Sequence, residues 1–193
     1  MSDPHFLHNL TEHLSLFQQL SSLDGAVNQA INACVHSLRH GGKLMLCGNG
    51  GSAADSQHLA AEFTGRFVKD RAPLAALALS TDTSALTCIS NDYSFEDVFA
   101  RQVKALGKPG DCLIAISTSG NSGNVLAAVA AAKALGITCI GLLGRDGGKL
   151  KAVCDVAIVV PSQVTARIQE AHILIGHSLC GAVEQQLGLV PAE

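Results

Sequence analysis

Five short apolar runs recur along this chain, at residues 43–47, 75–79, 112–116, 138–142 and 156–159. Each is continuous rather than alternating, which is the pattern of a strand buried on both faces of a sheet. Segments with helical spacing lie between and after them, at about 53–67, 84–90, 95–106, 124–135 and 163–187. Two more precede the first run. Leu7, Leu10, Leu14 and Phe17 repeat at helical intervals over about 6–20. Val27, Ile31, Cys34, Val35 and Leu38 share one stripe over about 23–38, which Gly41-Gly42 ends. Strands alternating with helices predict an α/β fold: a three-layer αβα sandwich around a central five-stranded parallel sheet, with two extra N-terminal helices. Pro73, Lys108-Pro109-Gly110 and the glycines from Gly144 to Gly148 fall in the connections. No linker, repeat or low-complexity tract divides the chain, so residues 1–193 read as a single domain.

Composition adds constraints. At 193 residues the chain is long enough to bury a core, and its 48% hydrophobic against 15% charged content predicts further apolar surface hidden in an oligomer. A net charge of −3 and the lack of a Lys/Arg cluster argue against a nucleic-acid partner. The start Met1-Ser2-Asp3-Pro4-His5 lacks the basic-then-apolar form of a secretory signal, and no apolar stretch is long enough to span a bilayer. The seven cysteines are odd in number, form no Cys-x-x-Cys pair and sit mostly in apolar runs. They read as small buried hydrophobes of a cytoplasmic protein with no membrane partner.

Open parallel sheets bind ligands at the C-terminal ends of their strands. Polar turns follow the first three strands there, at 48–52, 80–83 and 117–122. The run Ser117-Thr118-Ser119-Gly120-Asn121-Ser122 sets four hydroxyls beside the free N–H groups of a helix N-terminus, which suits a phosphate. An ordinary helix cap would need one such residue. Gly48, Gly50 and Ala53 loosely match a dinucleotide fingerprint, but no acidic residue ends the next strand about twenty positions on. The turn reads instead as backbone that approaches a substrate closely, with Asn49 and Ser52 available to hydroxyls, or as a turn shaped for packing. His58 and Glu62 stand four apart on one helical face: a metal-binding pair, a base with its partner, or a solvated face. The last helix carries Gln169, Glu170, His172 and His177 among apolar residues, where a core histidine satisfied by hydrogen bonding is the ordinary alternative. Gln169 and His177 are eight residues apart, about 12 Å of helix rise. They meet at one ion only if side chains lean inward, the helix is irregular or subunits share the site.

Together these residues resemble the sugar isomerase (SIS) family over nearly the whole chain. The resemblance rests on Cys-Gly-Asn-Gly-Gly-Ser at 47–52, Gln-His-Leu-Ala-Ala-Glu-Phe-Thr-Gly-Arg-Phe at 57–67, Asn91-Asp92, and Ser-Thr-Ser-Gly-Asn-Ser at 117–122. Asp-Gly-Gly at 146–148 and Arg-Ile-Gln-Glu-Ala-His at 167–172, followed by His177, complete it. It implies that Ser117, Thr118, Ser119 and Ser122 hold a sugar phosphate and that Asn49, Gly50, Gly51, Ser52, Asn91 and Asp92 line the sugar, with Glu62 and Gln169 also facing it. It further implies one zinc per subunit on His58, Glu62, Gln169 and His177, with Glu62 and His177 performing acid/base catalysis. The implied reaction converts sedoheptulose 7-phosphate to D-glycero-D-manno-heptose 7-phosphate for bacterial heptose synthesis. The implied assembly is a homotetramer with active sites at subunit interfaces, residues 1–41 serving oligomerisation. Ala53 departs from members that carry His there. Two rivals remain. Some relatives of the family are regulators that bind the replication initiator and lack the carboxylate matching Glu62; other members isomerise different phosphosugars.

Overall fold

The computed structural model describes residues 4–191; residues 1–3 and 192–193, at the ends of the expected domain, lie outside them. The five expected strands form: β1 (Leu44–Cys47), β2 (Ala76–Ala78), β3 (Cys112–Ser117), β4 (Thr138–Gly144) and β5 (Val156–Val160). They make one parallel sheet in the order β2-β1-β3-β4-β5. The helices are α1 (His5–Phe17), α2 (Asp24–Arg39), α3 (Gly51–Thr64), α4 (Thr83–Asp92), α5 (Val98–Leu106), α6 (Gly123–Ala134), α7 (Leu150–Val153) and α8 (Thr165–Gln186). The expected three-layer α/β architecture is present.

The continuous apolar runs have a simple physical origin. Strand side chains alternate between faces, and here both faces are covered. Leu44, Leu46, Ile114 and Ile116 enter one core with α2, α3 and α8, while Met45, Cys47, Leu113 and Ala115 enter a second with α4, α5 and α6. The cysteines fit this picture: all are free, five are fully buried, and burial raises the Cys139 thiol to about 12.

Several boundaries move for local reasons. The first helix ends at Phe17 instead of running to Leu20, and a 3-10 turn at Leu20–Leu23 turns the chain into α2. Phe95–Asp97 is likewise 3-10, so α5 begins at Val98. Gly65 stops α3 short of the expected Phe67. The short α7 was not expected. No helix among the described residues is long and apolar enough to cross a membrane.

The strand order places the site. From β1 the chain moves outward to β2, then returns to the other side of β1 as β3. Connections therefore diverge at the C-terminal ends of β1 and β3, leaving a crevice there. The turn before α3 and the turn before α6 form its two lips.

Candidate active site

The lip after β3 is the hydroxyl-rich turn. Ser117 ends the strand and is buried, and its Oγ lies 2.9 Å from Ser122 Oγ. Ser122 occupies the N-cap position of α6 but makes no side-chain capping bond. The first N–H groups of α6 are thus left without that side-chain partner, as an anion site requires. Thr118 and Ser119 are half-buried, and Ser119 Oγ accepts from the Asn121 amide at 3.2 Å. Gly120, at φ +65, presses against the carbonyl of Gly147. Asn121 Oδ1 accepts from Lys149 N at 3.1 Å, and Gly120 O accepts from Leu150 N at 3.0 Å. The Asp146-Gly147-Gly148 segment is therefore the buttress of this turn. Glu96 stands beside Gly123 at the first turn of α6, where the helix dipole favours negative charge.

The lip after β1 is built as tightly. Gly50, at φ +55, is the N-cap of α3, and the Gln169 amide fills the space a side chain at Gly51 would take. Ser52 is buried beneath the turn, packed under Gly48. Asn49 and Asn124 exchange two amide hydrogen bonds, each 2.8 Å, which tie the lips together. Sequence reasoning missed Asn124; its signal is a polar residue, here buried, opening an otherwise alanine-rich helix. Asn91 and Asp92 are exposed at the end of α4. Asn91 donates to Asp92, which also accepts from the Cys88 thiol, and neither residue hydrogen-bonds to the two lips.

Helices α3 and α8 run side by side from these lips. Gly51 meets Gln169 near their starts, and Leu59 meets Gly176 two turns on. At that level His58 Nε2 lies 2.8 Å from His177 Nε2 and 3.5 Å from Glu62 Oε1. One ligand atom from each residue falls within 4.8 Å of the others. Tetrahedral bonds of about 2.0–2.2 Å to one zinc would set donors about 3.3 Å apart. The two imidazoles and the carboxylate therefore fit a borderline divalent cation after small shifts. Phe67 packs on the His177 ring, with centroids 5.3 Å apart. Gln169 is not in this group: it stands at Gly51, eight residues before His177 along an unbroken α8.

Asp55, one turn before His58, was also missed. It is half-buried, and its Oδ2 has no hydrogen-bond partner. Burial raises its carboxyl above the ordinary range, while His58 and His177 oppose the shift.

The rest of the 167–172 segment is structural. Arg167 donates to Asn9 O and Glu170, and Glu170 pairs with His13, so α1 is tied to α8. His172 is the core histidine that the apolar helix suggested: fully buried, its Nε2 is 3.0 Å from Leu143 O, and burial lowers its pKa to about 4. The unfolded chain then binds the proton first as pH falls below about 6.5. Stability should drop by about 2 kcal/mol between pH 7 and pH 5, with the loss complete below pH 4. Urea unfolding at the two pH values checks this, and His172→Gln should flatten the slope.

Comparison with known proteins settles the family. A SIS domain model matches residues 5–144. A phosphoheptose isomerase of Rhodospirillum rubrum is 56% identical over 171 residues, covering 89% of this chain and 91% of that protein. The chain belongs to the phosphoheptose isomerase family of SIS-domain proteins. The structure of phosphoheptose isomerase from Neisseria gonorrhoeae superposes with a TM-score of 0.89 at 48% identity, covering 93% of this chain and 97% of that one. One from Francisella tularensis gives 0.91 at 38% identity, covering 96% and 100%. The matched SIS domain range takes in both the hydroxyl-rich turn and α3.

Proposed function

We propose that this chain interconverts sedoheptulose 7-phosphate and D-glycero-D-manno-heptose 7-phosphate, supplying bacterial heptose synthesis for lipopolysaccharide or capsule. The convergence of His58, Glu62 and His177 carries the reading, supported by the named relatives. A phosphate-binding regulator needs the 117–122 turn but has no use for a carboxylate grouped with two imidazoles within 4.8 Å.

The 117–122 turn grips the phosphate, and that remote contact positions the carbonyl end of the substrate. From Gly51 to His58 is seven residues, about 10 Å of α3. Eight covalent bonds link C1 of a heptulose phosphate to phosphorus, which at about 1.2 Å per bond also spans about 10 Å. Asn49, Gly50 and Gly51 line the path between, backed by the buried Ser52, with Asn91 and Asp92 joining them in the bound state.

Glu62 takes the proton from C1, and the C–H electron pair forms the C1–C2 double bond as the carbonyl oxygen at C2 accepts a proton. Glu62 returns a proton to C2 while O1–H is deprotonated, leaving the aldehyde. His177 carries the proton between the two oxygens. His58, Glu62 and His177, completed by Gln169, would hold one zinc ion. When bound, that ion supplies Lewis-acid stabilisation of the developing negative oxygen.

A homotetramer with interfacial active sites accords with two observations. Phe6, Leu7, Leu10 and Leu14 are exposed along α1, and Gln169 stands apart from the other three ligands within one chain.

Chelation provides the test. Treatment with a strong chelator should reduce turnover of sedoheptulose 7-phosphate by at least about 100-fold, and zinc should restore it. Full activity after verified metal removal would sink the metal assignment. Turnover of a different phosphosugar alone would sink the substrate.

A further inference from the structure

Arg71 and Glu184 lie outside every residue assigned above, yet both are almost fully buried, with side chains 1% and 2% exposed. Buried charges persist only when their hydrogen bonds are met, and each of the three guanidinium nitrogens of Arg71 has a partner. Its Nε donates to Glu184 Oε1 at 2.7 Å. Its Nη1 donates to the carbonyls of Phe63, Gly65 and Ala72, and its Nη2 to the carbonyl of Glu62 at 2.7 Å. The last carbonyls of a helix have no partner within it. Arg71, reaching back from the segment that leads to β2, supplies donors to those at the end of α3. Its positive charge also suits a helix C-terminus. One of the carbonyls it holds is that of Glu62 itself.

Glu184 extends the linkage to the other helix. It sits two turns beyond His177 on α8, and its Oε1 also accepts from Phe67 N at 3.0 Å. Phe67 is the residue whose ring packs on His177. One buried ion pair thus fixes the backbone of Glu62, the ring behind His177 and the spacing of the two helices that carry them.

We propose that Arg71 and Glu184 are positioning residues that preorganise Glu62 and His177 to bind one divalent cation. The inference rests on the metal reading above. Ligand supports that do not touch the ion commonly change its affinity by about 10–100-fold.

Cobalt(II) titration of the full chain, followed by its visible ligand-field absorption, tests this. Arg71→Met and Glu184→Gln should weaken cobalt binding by about 10–100-fold. Arg71→Lys, which keeps the charge without the planar fork, should recover only part. Asp111→Asn is the control: it breaks another buried contact, where Asp111 accepts from Lys43 Nζ and from the Lys43 and Lys108 amides. It should bind cobalt as the wild type does, although it too is destabilised. Glu184→Gln retains size and an acceptor, so it carries the test if Arg71→Met fails to fold. Affinities in Glu184→Gln and Arg71→Lys equal to that of Asp111→Asn overturn the inference alone. A wild type that shows no cobalt absorption overturns the metal reading and this inference together.

Discussion

Glu62→Gln should lower kcat for sedoheptulose 7-phosphate by about 10²–10⁴-fold, the range for loss of a general base. The substitution preserves shape and hydrogen-bonding reach but removes the only carboxylate in the trio, the group that accepts a proton from carbon. Glu62 is half-buried on α3, 3.5 Å from His58, so the isosteric amide fits without repacking. Its backbone carbonyl remains held by Arg71. Thermal stability should therefore change little. KM should also change less than kcat, because the phosphate grip holds the far end of the substrate, about eight bonds from the reacting carbon. Metal content, measured on the same sample, separates the two roles of Glu62: an amide oxygen can still act as a weak ligand, so kcat should fall further than metal occupancy. A variant that retains metal and most of its kcat would show that the base is elsewhere.

Gly120→Ala should damage the other end of the site. At φ +65 a side chain costs about 1–2 kcal/mol by itself, and here a methyl group would also overlap the Gly147 carbonyl. The turn and its buttress must move apart, which disturbs the Ser117–Ser122 pair. The expected result is a KM raised by about 10-fold or more, an order of magnitude that corresponds to 1.4 kcal/mol of lost binding. Gly110→Ala serves as control. Gly110 has φ +89 but nothing within 4 Å of an added Cβ, and it lies in the connection before β3, at the opposite end of that strand from Gly120. It should lose a similar amount to backbone strain while leaving KM unchanged. Steady-state kinetics on both variants, with unfolding midpoints alongside, check the contrast.

These cases show what the residue pattern carries and what it does not. Strand positions were legible because burial on both faces forces unbroken apolar runs such as Leu113-Ile114-Ala115-Ile116. The pairing of His58 with Glu62 was legible too, since helical spacing alone brings them to one face. His177 and His172 could not be told apart by the same means. Both sit in one apolar helix, and only the packing of α8 directs His172 to Leu143 O and His177 to His58. Arg71 was hidden for a related reason. It lies in a short basic stretch that looks solvated, and its burial depends on Glu184, 113 residues later. Asn124 was hidden in the same way: its amide pair with Asn49 joins residues 75 apart in the chain, which no local pattern displays.

The account stands or falls on proton transfer at carbon by Glu62. The most direct measurement is NMR of sedoheptulose 7-phosphate incubated with the metal-loaded protein in heavy water. The account predicts D-glycero-D-manno-heptose 7-phosphate carrying solvent deuterium at C2, and neither product nor exchange at an appreciable rate with Glu62→Gln. Product formed at the wild-type rate by Glu62→Gln, or the absence of any product from the wild type, would contradict it.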